Sequence, residues 1–212
     1  MKCLIVDDDP IMRLGIRQLI SGKWPNAEVA EAESVGKAVT KFTEVKPDVV
    51  VLDLSLPDVS GTEGVAKMLR VAKDVPILVL SLNAESVYAA RVLQMGAVGY
   101  LPKDLAAEEL VTAIERILDG KRYVTASMAD RLLDILGGKQ MDQLPHEQLS
   151  PQEYRVMLLL AAGKGANEIG EAMHVSAKTV STYTARILQK TGWKNKIEMT
   201  KYCVQHGLTE KE

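Results

Sequence analysis

The chain has little of what several function classes require. It holds 2 cysteines and 3 histidines in 212 residues. Cys3 and Cys203 stand far apart with no CxxC or Cys/His spacing, which argues against a disulfide framework or a zinc site. His146, His174 and His206 form no ligand pattern. Aromatic residues make up 4% of the chain, with a single phenylalanine, so no platform for stacking unpaired RNA bases is apparent. No apolar run approaches the length of a membrane span. Met1-Lys2-Cys3-Leu4-Ile5-Val6 runs straight into aspartates, unlike a secretory leader. The expectation is a cytoplasmic protein with no membrane partner.

A large net charge is also missing, the total being −2, but the charge is uneven. From Leu149 onward there are 9 Lys+Arg against 6 Asp+Glu, and 17 against 22 in the remainder. An acidic front and a basic tail suggest two domains with different partners, the tail being a nucleic-acid candidate.

What the front half does have is a set of short apolar strands. Val49-Val50-Val51-Leu52 is a run of four apolar residues, three of them β-branched, ending in Asp53. Such a run reads as a strand buried on both faces of a parallel sheet. Cys3–Val6 is a first strand ending in Asp7-Asp8-Asp9-Pro10, and Glu28–Ala32 a weak second strand near an edge. Pro76–Leu80 is a fourth, ending in Ser81, and Val98–Leu101 a fifth, closed by Pro102-Lys103. Between them lie helical segments. Asp9 caps the first, with Ile11, Leu14, Leu19 and Ile20 as its apolar stripe, and Ser34 caps the second, which runs to about Lys46. A third runs from Gly61 through Ala72, Asn83 caps the fourth, and Asp104 caps the last, which reaches Asp119. Five alternations of strand and helix argue for an α/β fold with helices on both faces of a parallel sheet.

In such a sheet the residues just beyond the strands share one edge. Here they are Asp7, Asp8, Asp53, Ser81 and Lys103. Two or three carboxylates within about 5 Å repel by a few kcal/mol per pair. Lys103 cancels one of three charges, and the remaining −2 suits one divalent cation, Mg²⁺ or Mn²⁺, held by a few carboxylates. Carboxylate, divalent ion, lysine and hydroxyl together make a phosphoryl-transfer site.

These residues, with Tyr100 and the run Val-Val-Val-Leu-Asp-Leu-Ser-Leu-Pro around Asp53, make residues 1–120 resemble a bacterial response-regulator receiver domain. The resemblance implies a flavodoxin-like, doubly wound five-stranded sheet in the order 2-1-3-4-5. It implies that Asp53 is the phosphoacceptor, attacking phosphohistidine on a sensor histidine kinase. Asp8, with Asp7 partly through water, would hold Mg²⁺ together with Asp53 and the backbone carbonyl of Ser55. Ser81 and Lys103 would bind phosphoryl oxygens, and Tyr100 would couple the site to the face made by helix 4, strand 5 and helix 5. Pro102 precedes Lys103, whereas many receivers place proline directly after the lysine, often through a cis bond.

Residues 121–147 read as a linker with one helix, Met128–Leu136, carrying Leu132, Leu133 and Leu136 on its apolar side. Gly137-Gly138 ends that helix, and Lys139–Gln148 is a polar hinge.

Residues 148–209 read as a small all-α domain of four helices. Ser150, Pro151 and Glu153 form a helix start with a capping box, and Leu149 staples onto Tyr154. Val156, Leu159 and Leu160 point inward before Gly163. A short helix covers Ala166–Met173, and Ser176 caps a third that runs to Thr191. On that third helix Val180, Tyr183, Thr184, Ile187, Leu188 and Thr191 share one face. Lys178, Thr182, Ala185, Arg186 and Gln189 lie opposite, with Ser181 at the margin. A short helix, a tight turn and a longer helix with a small, polar, basic outer face follow helix-turn-helix logic. The candidate DNA contacts are those five residues with Thr179 and Ser181, and Lys190, Lys194 and Lys196 add phosphate contacts.

Leu-Ser-Pro-Gln-Glu, Asn-Glu-Ile-Gly, Val-Ser-Ala-Lys-Thr-Val and Ile-Leu-Gln-Lys-Thr-Gly-Trp-Lys-Asn-Lys make residues 149–208 resemble the LuxR/FixJ-type DNA-binding domain. The resemblance implies a recognition helix in the major groove and a fourth helix, Ile197–His206, that contributes to dimerisation. Gly165 and Gly170 stand where relatives often have serine and alanine, which points to a weak second helix. The expectation is a two-domain transcriptional regulator, not an enzyme beyond self-phosphorylation and autodephosphorylation, that forms a homodimer on double-stranded DNA when phosphorylated. Its rivals are an Mg²⁺-dependent phosphatase with an aspartyl-phosphate intermediate, and a DNA-binding regulator that has dropped phosphorylation.

Overall fold

The structure, a computed structural model, describes residues 1–59, 62–82, 86–136, 144–206 and 208. It divides into two compact units, Met1–Met141 and Asp142–Glu212. In the first, strands β1 (Lys2–Val6), β2 (Glu28–Ala32), β3 (Val49–Asp53), β4 (Ile77–Ser81) and β5 (Gly99–Pro102) form a parallel sheet. Its order is β2-β1-β3-β4-β5, as the resemblance implied. The β-branched runs at β3 and β4 are buried along their whole length. Alternation splits their side chains between two cores. Leu4, Val50, Leu52, Val79 and Tyr100 pack with α2 (Val35–Val45), α3 (Glu63–Val71) and α4 (Ser86–Met95). Ile5, Val51, Leu78, Leu80 and Leu101 pack on the other face with α1 (Pro10–Lys23) and α5 (Ala106–Leu118). Each such side chain contributes about 1.5–3 kcal/mol by leaving water.

Three local expectations change. On α1, Asp9 caps and Pro10 takes the first position as expected, but Ile11 and Leu14 are 79% and 51% exposed. The inward face is Met12, Ile16, Leu19 and Ile20: the true i, i+4, i+7, i+8 stripe is out of phase with the one read from the sequence. Asp104 does not cap α5. Residues Lys103–Leu105 form a single 3₁₀ turn, and Leu105 occupies the cap position without a side-chain bond. The linker helix α6 (Ala126–Leu136) buries Met128 and packs Leu132 against the first unit, whereas Leu133 is 66% exposed. Gly61, Asn83, Gly137 and Gly138 lie outside the described residues. Half of the expected hinge, residues 139–143, does too, and its end, Pro145–Gln148, is a 3₁₀ turn in the second unit with His146 and Glu147 buried.

The second unit holds α7 (Pro151–Ala161), α8 (Ala166–Ala172), α9 (Ala177–Thr191) and α10 (Lys196–Gln205). Ser150 accepts from the Glu153 amide, and Glu153 accepts from the Ser150 amide. Leu149, Tyr154, Val156, Met157, Ile169, Val180, Ile187 and Met199 form its core. Met157 is fully buried, whereas Leu159 and Leu160 are only half-buried.

Gly170 proves a requirement of the turn rather than a weakness of α8. A Cβ there would sit 2.8 Å from the Val175 carbonyl oxygen and 3.4 Å from the Ala177 amide nitrogen, both backbone atoms. Overpacking of this kind costs about 1–3 kcal/mol, against about 1 kcal/mol that alanine returns in helix propensity. Gly170→Ala is therefore expected to lower the stability of this unit, read as earlier thermal unfolding; unchanged unfolding would count against the tight turn.

Candidate functional site

The register explains why distant residues meet. Val6 pairs with Leu52, Asp53 with Leu80, and Ser81 with Pro102. Asp7, Asp53, Ser81 and Lys103 therefore come level at the carboxyl edge of the sheet. All are buried, as are Asp8 and Ser55. Ligand oxygens of Asp7, Asp8 and Asp53 lie within 4.8 Å of one another. The Lys103 ammonium stands 2.7 Å from Asp7 Oδ2 and 2.9 Å from Asp53 Oδ2. Asp53 Oδ1 accepts the Ser55 amide at 3.0 Å, which turns the chain sharply after β3. Asp7 Oδ1 accepts the Asp9 amide, and the Asp7 carbonyl accepts Arg13 Nη1 at 2.6 Å. Every peptide bond among the described residues is trans.

This crowding has electrostatic consequences. Burial, and then the Asp53 charge, push the Asp7 carboxyl up to about 6 from an ordinary 3.8, although Lys103 opposes them. Burial disfavours the Lys103 charge, but Asp53 and Asp7 outweigh it and hold the ammonium above its usual range. Because the folded value of Asp7 exceeds the unfolded one, its contribution to stability is fully present below about pH 4. It is lost as pH rises through about 6. Between pH 5 and pH 7 the metal-free protein is expected to lose about 1 kcal/mol through this group. Urea unfolding should show that loss in wild type, and Asp7→Asn should remove it. An equal slope in both proteins would contradict the shared charge.

The donor set fits a small hard cation. All three side chains offer carboxylate oxygen, the preference of Mg²⁺ and Mn²⁺. Asp7 Oδ2 and Asp53 Oδ2 are buried and share the Lys103 ammonium, one cation between two carboxylates. The sequence did not reveal the role of Asp58. Its carboxylate accepts the Val35 and Gly36 amides at 3.2 and 3.1 Å, tying the segment after β3 to the start of α2. No local pattern signals a cap supplied from 23 residues away.

In the second unit, Lys178, Ser181, Thr182, Ala185, Arg186 and Gln189 are all exposed on α9, opposite buried Val180, Thr184 and Ile187. Lys194 and Lys196 are exposed beyond its end. Two expected contacts differ in kind. Thr179 Oγ1 is taken up in the helix cap, 2.8 Å from Ser176 Oγ. Lys190 Nζ lies 2.6 Å from Oε2 of Glu153, whose side chain is 3% exposed. To reach a phosphate, Lys190 would have to abandon that buried oxygen.

A carboxylate notch at the carboxyl edge of a 2-1-3-4-5 parallel sheet, followed by a helical unit with a basic outer face, defines a signalling protein with a nucleic-acid-facing output. The family comparisons agree. Residues 3–115 match the response regulator receiver domain, and residues 147–203 match the bacterial regulatory proteins of the luxR family. The chain belongs to the response-regulator family and is a DNA-binding transcriptional regulator of the two-component type, not a classical enzyme. It is 34% identical to response regulator UvrY of Escherichia coli K12 over 100% of this chain and 97% of that one. Among solved structures it is similar to RcsB of Salmonella enterica serovar Typhimurium bound to a promoter in the presence of phosphomimetic BeF₃⁻. That likeness has 27% identity and a TM-score of 0.58, over 95% of this chain and 97% of that one. It is also similar to two RcsB dimers bound to two parallel DNAs, at 27% identity and TM-score 0.59, over 96% and 98%. Among the described residues, no helix is long and apolar enough to cross a membrane.

Proposed function

We propose that Asp53 accepts a phosphoryl group from the phosphohistidine of a sensor kinase, and that this promotes pairing of the chain on DNA. The observation that carries the reading is the gathering of Asp7, Asp8, Asp53 and Lys103 about one point. An Asp53 carboxylate oxygen forms the new P–O bond while the P–N bond to the donor imidazole breaks. Lys103 and Ser81 receive the phosphoryl oxygens. Asp8, Asp53, the Ser55 carbonyl, and Asp7 through water would hold Mg²⁺, which when bound neutralises charge on carboxylates and phosphoryl alike. The same pocket admits self-phosphorylation from small acyl phosphates and hydrolysis of its own product. Exposed Ile11 and Leu14, immediately after Asp7–Asp9, offer the donor protein an apolar contact beside the reacting group.

The output reading rests on α9 and α10. Lys178, Ser181, Thr182, Ala185, Arg186 and Gln189 face the major groove, and Lys194 and Lys196 take phosphates. Ile197 and Val204, 79% and 62% exposed on α10, are the apolar pair available to a second copy. RcsB occurs as dimers on DNA, which supports the homodimer. The protein then works in the cytoplasm, where DNA and donor kinase meet.

Arg186→Ala tests the interface by itself. If Arg186 contacts a base edge, loss of the contact costs about 1–3 kcal/mol and relaxes specificity at one position. If it contacts phosphate, the salt slope of binding falls by about one. Unchanged affinity and salt slope would reject α9 as the DNA-facing element.

A further inference from the structure

Arg13, on the first turns of α1, is bound from two sides. Its Nη1 donates to the Asp7 carbonyl at 2.6 Å, and its Nε donates to Glu31 Oε2 at 3.2 Å. Glu31 lies on β2 opposite Ile5, two residues from Val29, which packs against the core that holds Ile16 and Ile20 of α1. A charge on that face of a strand is costly unless it is paired. Glu31 is paired twice, since Arg17 Nε also donates to its Oε1 at 2.6 Å. The side chains of Arg13 and Glu31 are 15% and 22% exposed, and that of Arg17 is 50% exposed. The backbone of Asp7 is thereby held at both ends. The Asp7 amide donates to the Ala32 carbonyl at 3.1 Å, and the Asp7 carbonyl accepts the guanidinium.

We infer that Arg13, anchored by Glu31, is a positioning residue for the cation site: it clasps the Asp7 carbonyl and so aims the Asp7 and Asp8 carboxylates into the notch. The inference rests on the divalent-cation reading of the notch and deepens it. Ligand oxygens of Asp7, Asp8 and Asp53 lie within 4.8 Å of one another, and like charges at that range push apart. The Asp7 amide bonds to the β2 carbonyl of Ala32, and there β1 has ended, so the ladder no longer restrains the chain carrying Asp8. Arg13 restrains it through a backbone oxygen and leaves the carboxylate oxygens to a cation. Residues that hold metal ligands in place, without touching the metal, typically set its affinity by about 10–100-fold. The two possible effects of Arg13 on a cation have opposite signs. As a nearby positive charge it repels the ion, and Glu31 offsets that charge; as a clasp it favours binding.

Mn²⁺ binding to the full chain, read from the loss of the free-ion electron paramagnetic resonance signal, separates the two. Arg13→Met is expected to raise the Kd for Mn²⁺ by about 10–100-fold, although deleting a positive charge would by itself tighten binding. Arg17→Met removes an equal charge from the same carboxylate without touching Asp7, and should bind Mn²⁺ as tightly as wild type or more tightly. Arg13→Lys keeps the charge but not the two-pronged geometry. It should show part of the loss, and it decides the matter if Arg13→Met does not fold. Wild-type affinity in both Arg13 variants overturns the clasp and leaves the cation reading intact. An equal loss in Arg17→Met also overturns it, since the effect would then belong to α1 as a whole. No Mn²⁺ binding by wild type sinks the cation reading and the clasp with it.

Discussion

Asparagine at position 53 should erase the response of DNA binding to acetyl phosphate. The substitution nearly preserves shape, and the amide oxygen can still accept the Ser55 amide as Asp53 Oδ1 does. It removes the proposed nucleophile, since a carboxamide oxygen does not form a stable acyl phosphate at neutral pH. On the proposed pairing, the gain in wild type comes from linking two weakly basic recognition helices, and joining two binding modules raises avidity by about 10²–10⁴. Binding to a two-half-site duplex should therefore tighten by about a hundredfold or more with acetyl phosphate and Mg²⁺. Asp53→Asn should bind like the untreated protein under both conditions. Equal tightening in wild type and variant would mean that the phosphoryl group acts elsewhere.

The largest effect on folding is expected at Lys103. Its ammonium is the shared partner of two buried carboxylates, with side chains 6%, 1% and 0% exposed for Lys103, Asp7 and Asp53. Removing one member of a buried ionic cluster leaves uncompensated charge and costs about 3–5 kcal/mol. Lys103→Ala should lower the urea midpoint accordingly at pH 7. The loss should shrink at pH 5, where Asp7, already pushed up to about 6, can take a proton in place of the lost cation. Divalent cation should return part of the stability by binding only the folded state, about 2.7 kcal/mol at a hundredfold excess over Kd. A loss below about 1 kcal/mol would show that the cluster is open to water and needs no counterion. The phosphatase rival gains no support from this pocket, since it leaves the exposed basic face of α9 without a role.

Legibility in the sequence followed the range of the interaction. The strand ends could be read because the notch arises from a repeated local event, an apolar run that stops at a polar residue, multiplied by a parallel sheet. The caps at Asp9, Ser34, Ser150 and Ser176 were likewise readable, since each acts within three residues. The α1 stripe failed because five leucines and isoleucines fit the window in more than one phase, and only packing on the sheet picks Ile16 over Leu14. Asp104 looked like a cap, but the chain needs a 3₁₀ turn there to bring Lys103 back over the notch. Lys190 read as a phosphate contact because its partner Glu153 lies 37 residues earlier. The parallel bridge between Tyr123 and Gly99 at the edge of β5 was hidden for the same reason: a single tyrosine bridging to a strand edge has no period.

Borohydride reduction of the acyl phosphate, followed by mass mapping, locates the phosphorylated residue after treatment with acetyl phosphate. The result expected is homoserine at position 53 alone, formed only when Mg²⁺ or Mn²⁺ is present and absent from the Asp53→Asn protein. Reduction product at another carboxylate, or labelling of position 53 that is indifferent to divalent cation, would contradict the notch as the place where the signal enters.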